Sequence, residues 1–259
     1  GNYNVVVGDE AGTALTTGDG NTAVGFEAIK TEDADGQNTA IGYQALTTLN
    51  AGTDAQNVAV GYQAGAAVTT GIRNVLIGGV AGDALTDADN NVAIGRAALS
   101  SDTLGSNSIA IGRNALITQN FTTATDTFNV AVGDRAGAAV TTGVNNVLIG
   151  GLAGDAFTDA DKNVAIGDQA LSSDTLGSRS TAVGFGALFT QNFTTATDAY
   201  NVAVGTNAGL SVTTGTQNTL IGGLTGDALT TGALNVAVGY GALTSDDLGS
   251  KSVALGHST

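Results

Sequence analysis

The sequence predicts an all-β fold, a parallel β-solenoid of about fifteen coils, most of which follow a 17-residue period. A five-residue phrase, Asn-Val-Ala-Val-Gly with close variants, occurs fifteen times in the 259 residues. Successive copies follow at a 17-residue interval, as from Asn74 to Asn91, except for one interval of 19 and two of 21. A period this short cannot hold independent domains, so each repeat is expected to be one coil that stacks on the next. We therefore expect a single repeat domain over residues 1–259.

The composition fits a β-solenoid and disfavours several other classes. Pro, Cys, Met and Trp are absent, whereas Gly occurs 39 times, a composition unlike that of helical repeat proteins. The lack of Cys excludes disulfides and thiolate metal sites. A net charge of −15 disfavours nucleic-acid binding, and no apolar run is long enough for a membrane span. Because the chain begins and ends inside the repeat pattern, we expect it to be part of a longer protein.

Each coil is numbered here from its Asn or Ser as position 1. Positions 2 and 4 are always Val, Ile, Leu or Thr, which predicts that they share one face of a strand and fill the core. Position 5 is Gly in every coil, as a corner or a close backbone approach requires. The Asn column at position 1 predicts a ladder of side-chain amides. A second strand in each coil is expected to complete a flattened β-roll.

Position 3 is apolar in all fifteen coils and is mostly Ala. It faces away from positions 2 and 4, where a solvated strand would carry polar residues, and a strand that is apolar on both faces is buried on both. The alternative is that Ala tolerates exposure and that the column is neutral. We expect the column to meet other copies of the chain, with these interface residues: Ala59, Leu76, Ala93, Ala110, Ala131, Leu148, Ala165 and Leu220.

The second half of each coil supplies one large apolar side chain by either of two routes. In some coils position 9 is Gly and position 12 is large, as in Gly82 with Leu85, and in others position 9 is itself large, as in Leu99. This exchange keeps the core volume constant. A longer 72-residue period, equal to four coils, gives the blocks 57–128, 129–200 and, in part, 201–259. The two complete blocks end in near-identical insertions, which predict loops.

The phrase Asn-Val-Ala-Ile-Gly followed by a small residue at position 8 resembles the head repeats of YadA-type trimeric autotransporter adhesins. Similar repeats, in the style of Asn38 to Leu46, occur in bacteriophage tail fibres. The resemblance covers nearly the whole chain, although the coil here is longer than in the family, and we expect none of residues 1–259 to form a stalk, neck or membrane anchor. It implies a left-handed parallel β-roll, a side-by-side homotrimer and a structural or adhesive role at a cell or virion surface. The expected partners are a cell-surface glycan or a protein receptor.

Aromatic residues are the candidate receptor-binding residues. Position 6 is aromatic in three consecutive coils, at Phe26, Tyr43 and Tyr62, and such a column would suit sugar rings or a hydrophobic receptor. The alternative is a stabilising ladder. Phe121 and Phe193 lie in the inserted loops, where recognition residues often occur. The alternative there is an apolar foot that pins the loop, a role we expect instead for the residues directly before a strand, Phe128 and Tyr200.

Metal binding and catalysis have weak support. Asp87 with Asp89, and Asp159 with Asp161, form Asp-x-Asp turns; calcium favours carboxylates, but two acids are few, so solvated turns are preferred and no cofactor is predicted. The single histidine, His257, and the lack of a nucleophile or metal motif argue against an enzyme. The alternatives to a fibre segment are an ice-binding solenoid, suggested by recurring Thr pairs, and a glycan-cleaving tailspike.

Overall fold

The computed structural model describes residues 1–32, 34 and 36–259, and within them the regular structure consists of strands alone. The chain divides into two compact units, residues 1–128 and 129–259. Their boundary coincides with the boundary between the first two 72-residue blocks. In each unit one short strand per coil pairs in parallel with its neighbours, which confirms the parallel β-solenoid.

The first unit contains seven of these strands. They are β1 (Val5–Val7), β2 (Thr22–Val24), β3 (Thr39–Ile41), β4 (Val58–Val60), β5 (Val75–Ile77), β6 (Val92–Ile94) and β8 (Ile109–Ile111). The register never slips, so equal coil positions lie opposite each other, as Ala59 does opposite Leu76. A shorter strand within the inserted loop, β9 (Thr125–Asp126), pairs with β7 (Gly105–Ser106) of the preceding coil.

The second unit repeats this arrangement with eight strands. They are β10 (Val130–Val132), β11 (Val147–Ile149), β12 (Val164–Ile166), β14 (Thr181–Val183), β16 (Val202–Val204), β17 (Thr219–Ile221), β18 (Val236–Val238) and β19 (Val253–Leu255). The short strands β13 (Gly177–Ser178) and β15 (Thr197–Asp198) pair beside the second insertion. The prediction of a second strand in every coil is therefore wrong. In the described part of the chain, only the coils beside the two insertions have a second short strand, and turns form the opposite wall of the remaining coils.

The turns rely on left-handed backbone at the same positions of each coil. In the coil that begins at Asn91, Ala97, Leu99 and Asn107 have φ values of 55°, 53° and 64°. A non-glycine residue in this region costs about 1–2 kcal/mol, but the coil-to-coil hydrogen bonds hold it there, such as Leu99 N–H to the Ala115 carbonyl at 3.0 Å. Gly at position 5 is required, because a Cβ on Gly95 would lie 2.5 Å from a carbonyl oxygen of the next coil.

The strands bury position 3 and turn positions 2 and 4 outward, the reverse of the sequence-based prediction. Every position 3 residue assigned above to an interface is fully buried within its own chain: Ala59, Leu76, Ala93, Ala110, Ala131, Leu148, Ala165 and Leu220. The physical reason is the width of the coil. Large side chains of the turn wall, such as Leu85, are fully buried opposite the strand and fill most of the interior. Position 3 is therefore left with room for little more than a methyl group, and the larger Val and Ile side chains face outward.

Leu replaces Ala at position 3 only where glycines make room for it. A Cβ on Gly65 or Gly82 would lie 2.7 Å from a Cδ atom of Leu76. These two glycines occupy position 9 of the preceding coil and of the same coil. Gly209 and Gly226 flank Leu220 in the same way, at 2.8 Å. Large and small side chains thus alternate between coil positions so that the core volume stays constant, as predicted, and this exchange also includes position 3.

The predicted Asn ladder is confirmed. In the coil that begins at Asn74, the side-chain Nδ2 donates to the Ala88 carbonyl at 2.7 Å, and Oδ1 accepts from the Asn91 N–H at 2.9 Å. The amide therefore closes its own coil and joins it to the next. Both oxygen and nitrogen are buried, so each bond also satisfies a group that water cannot reach.

Candidate functional site

The outward side chains of positions 2 and 4 form a flat apolar surface in each unit, named here the outer strand face. In the first unit it comprises fourteen side chains on seven strands, all Val, Ile or Thr. They are partly covered by their neighbours along the column; Ile77, for example, remains 36% exposed. In the second unit Ile221 is 39% and Val238 is 37% exposed. Contiguous apolar surfaces of this kind mark interaction sites in soluble proteins.

The aromatic residues at position 6 form a stacked column, as predicted. The ring centroids of Phe26 and Tyr43 are 5.1 Å apart, and those of Tyr43 and Tyr62 are 5.3 Å apart, with interplanar angles of 19° and 10°. Within the column each ring covers the face of the next, so the inner faces are closed to a ligand. This geometry favours a stabilising ladder for the inner rings, whereas Tyr62, 56% exposed, ends the stack.

A polar ladder runs beside the rings at position 7. Gln63 Nε2 donates to Gln44 Oε1 at 2.8 Å, and Gln44 Nε2 donates to Glu27 at 2.6 Å. Lys30 completes it with ion pairs of 2.5 Å to Glu10 and Glu27. The hydrogen bonds from Lys30 and Gln44 lower the pKa of Glu27, and those to Glu10 and Glu27 raise the pKa of Lys30. The position 7 side chains beside the rings are thus held in hydrogen bonds and ion pairs with one another.

The burial of the aromatic residues in the inserted loops is the reverse of what the sequence predicts. Phe121 and Phe193 are 7% and 6% exposed, so they pin the loops and are not presented to a receptor. Phe128 and Tyr200, expected to act as pins, are 55% and 48% exposed. The reason lies in a buried carboxylate that fixes the first aromatic residue of the loop.

That carboxylate, Asp102, is a residue that the sequence analysis missed. Its Oδ1 accepts from the backbone N–H of Gly105 at 3.1 Å and of Phe121 at 3.0 Å, and its Oδ2 accepts from Gln119 Nε2 at 2.6 Å. Gln119 also donates to Ser108 Oγ at 2.9 Å, where Ser interrupts the Asn ladder. Asp174 repeats the arrangement in the second unit. An Asp at position 12 in the coil before each insertion is the signal that could have identified it.

The Asp-x-Asp turns use their carboxylates to join coils. Asp89 Oδ1 accepts from the Ile72 N–H at 2.8 Å, and Asp87 accepts from the Thr70 hydroxyl. Asp161 and Asp159 make the same bonds to Val144 and Thr142 in the second unit. Within the described residues no group of three or more Asp, Glu, His or Cys side chains comes together to hold a metal. These contacts agree with the interpretation of the motif as a turn.

No family model matches the chain, and neither a curated protein nor a solved structure matches it. The described residues include no helix with the length and apolar character needed to cross a membrane.

Proposed function

We propose that this protein is a structural and adhesive fibre segment, a left-handed β-roll that associates side by side into a homotrimer through the outer strand face. The trimer would present its remaining surfaces to a glycan or protein receptor outside the cell, on a bacterial or virion surface. The observation that carries the proposal is the outer strand face itself, which is apolar over the whole length of each unit.

The energetics of the outer strand face favour association. Fully burying a Val or Ile side chain contributes about 1.5–3 kcal/mol. Ile41 and Ile77, which are among the more exposed outward side chains in the middle of the first unit, are still 40% and 36% exposed in the isolated chain. Completing this burial therefore contributes up to about 1 kcal/mol for each of these side chains and less for the others. Over the fourteen outward positions of the first unit these contributions add up to several kcal/mol, roughly, which opposes the loss of translational and rotational freedom on association. In this proposal the outer strand face replaces the position 3 column that was predicted as the interface.

Ice binding has weaker support. The Thr hydroxyls that recur in consecutive coils are directed at carbonyls of the next coil, as Thr86 Oγ1 is at the Thr103 carbonyl (3.1 Å). An ice-binding surface needs a regular array of hydroxyls that face water. On the outer strand face Thr stands in only four of fifteen coils: Thr22, Thr39, Thr181 and Thr219. No observation favours a glycan-cleaving tailspike.

Sedimentation equilibrium of the wild-type protein and two charge variants tests the trimer. Ile221→Asp places a carboxylate on the outer strand face, whereas Leu248→Asp places one on the turn wall, where the side chain is 62% exposed. We expect three times the chain mass for the wild type and for Leu248→Asp, and the monomer mass for Ile221→Asp, with unchanged circular dichroism. A wild-type monomer or dimer would overturn the proposed trimer, as would a trimer that survives the Ile221 substitution.

A further inference from the structure

The position 6 column of the first unit contains an open gap at Gly79. Along this column the residues are Asp9, Phe26, Tyr43, Tyr62, Gly79, Arg96 and Arg113. Gly79 contributes no side chain, and a Cβ built on it would have no atom within 4 Å. The gap therefore lies between the exposed ring of Tyr62 and the exposed side chain of Arg96.

Backbone hydrogen bonds keep the two sides of the gap in register. The Tyr62 carbonyl accepts from the Val80 N–H at 2.8 Å, and the Gly79 carbonyl accepts from the Ala97 N–H at 3.0 Å. The side chains at position 6 of successive coils thus stack directly on one another. At a strand spacing of about 4.8 Å, two intervals separate the levels of Tyr62 and Arg96 by about 9.6 Å. One flat group fits halfway between them.

The equivalent glycines of the other blocks are filled by neighbouring side chains. At Gly151 a Cβ would lie 2.7 Å from Asp168 Oδ1, and at Gly223 it would lie 3.5 Å from the ring of Tyr240. The gap at Gly79 is therefore not a general property of glycine at this position. Beside the gap, Tyr62 stacks on Tyr43, and among the described residues the guanidinium of Arg96 has no hydrogen-bond or ion-pair partner.

We propose that the gap at Gly79 is a binding site for a planar aromatic anion, whose ring inserts between the ring of Tyr62 and the guanidinium of Arg96. An inserted ring would lie about 4.8 Å from Tyr62, within the range of about 4.5–7 Å for offset-stacked aromatic pairs. It would lie equally far from the Arg96 level, inside the limit of about 6 Å for a cation–π contact. The same protein already makes such a contact, with the Arg179 guanidinium 5.7 Å from the Tyr200 ring.

The charge of the site selects an anion. Arg96 stands at one end of the gap with a permanent positive charge, whereas position 7 of its own coil and of the coils on either side carries the neutral residues Val80, Ala97 and Asn114. A guanidinium binds a carboxylate or phosphate group through two parallel hydrogen bonds. A ring with an acidic substituent would therefore stack on Tyr62 with one face and on the Arg96 guanidinium with the other, while its negative charge is attracted to the positive charge of Arg96. This site lies within one unit and does not depend on the trimer.

Binding of 2-naphthoate to the full chain, measured by isothermal titration calorimetry, tests the site. Two matched probes separate its parts: 2-naphthamide keeps the flat ring without the charge, and cyclohexanecarboxylate keeps the charge without the flat ring. We expect 2-naphthoate to bind about tenfold more tightly than either. Equal binding of the charged and neutral naphthalenes, or no binding of 2-naphthoate at millimolar concentration, would overturn the proposal.

Protein variants locate the binding to the gap. Gly79→Tyr continues the aromatic column and fills the space; its backbone is outside the left-handed region, so the substitution introduces no strain. We expect it to abolish binding, and we expect Arg96→Gln to weaken binding about threefold to tenfold. Thr206→Tyr makes the same kind of change at position 6 of the second unit and serves as the control with wild-type affinity. Unchanged binding in both Gly79→Tyr and Arg96→Gln would place the ligand elsewhere and refute the assignment.

Discussion

Leu76→Ala should be one of the most destabilising single substitutions in the chain. Leu76 is fully buried in the middle of a strand, and its two Cδ atoms lie against the backbone of Gly65 and Gly82. Replacing a buried Leu by Ala typically costs about 2–5 kcal/mol, and the cost rises with the volume of the cavity that remains. Here the cavity is lined by two residues without side chains, so little can move in. We therefore expect a loss of about 4 kcal/mol in the free energy of unfolding.

The neighbouring residue Ile77 is the matched control. It belongs to the outer strand face and is 36% exposed. Ile77→Ala removes three carbon groups that are about two-thirds buried, which at about 0.8 kcal/mol per buried methylene amounts to about 1.5 kcal/mol in the isolated chain. The loss for Leu76→Ala should be independent of protein concentration. The loss for Ile77→Ala should grow with concentration if the outer strand face is an assembly interface.

Urea unfolding, followed by circular dichroism over a range of protein concentrations, measures both losses. The reasoning rests on position 3 pointing inward and positions 2 and 4 pointing outward. A dilute sample in which Ile77→Ala loses more stability than Leu76→Ala would refute that orientation. A loss below about 1.5 kcal/mol for Leu76→Ala would show that the site collapses, contrary to the role assigned to the two glycines.

Two further substitutions test the polar interior. Asn74→Ala leaves the Asn91 N–H and the Ala88 carbonyl without their partners. At about 1–3 kcal/mol for each buried group, urea unfolding should show a loss of about 4 kcal/mol in the free energy of unfolding. A loss below about 1 kcal/mol would contradict the stabilising role of the Asn ladder. Burial raises the pKa of Asp83, and its Oδ1 has no hydrogen-bond partner. The ionised form therefore destabilises the fold above that raised pKa, so Asp83→Asn should be more stable than wild type at pH 7. This gain should vanish below the ordinary pKa of 3.8, and a gain that is constant with pH would contradict it.

The sequence predicts the coil well because its determinants are periodic. The 17-residue interval, Gly at position 5 and Asn at position 1 each repeat with the structure they specify. The alternation of side chains along a strand, in contrast, identifies two faces but does not show which face points into the core. The β-branched Val and Ile of positions 2 and 4 predict a strand and a shared face, but they suit the inner and the outer face of the strand equally well. The decisive clue was steric: Leu76 occupies position 3 where position 9 is Gly, which only makes sense if the two positions face each other.

The candidate functional residues could be predicted from the sequence only where they occupy the same position in consecutive coils. The stacking of Phe26, Tyr43 and Tyr62 follows directly from their equal positions in consecutive coils. The roles of Phe121 and Phe128 depend instead on contacts between a loop and the coil before it. The carboxylate of Asp102 captures the Phe121 N–H, and nothing in the loop sequence alone reveals that partner. The opening at Gly79 likewise depends on how the neighbouring side chains pack, since Gly151 and Gly223 have the same sequence position and no such opening.

The packing of Leu76 also explains why a single coil of this chain cannot be copied intact during evolution. Leu76 requires Gly65 from the preceding coil and Gly82 from its own. The third coil of the same block supplies Asp102, which holds Gln119 and the loop of the fourth. Duplicating one coil would separate a large residue from its glycine, or an acid from its amide. A set of four coils keeps both partnerships, so the 72-residue block is the heritable module from which such a chain can be lengthened.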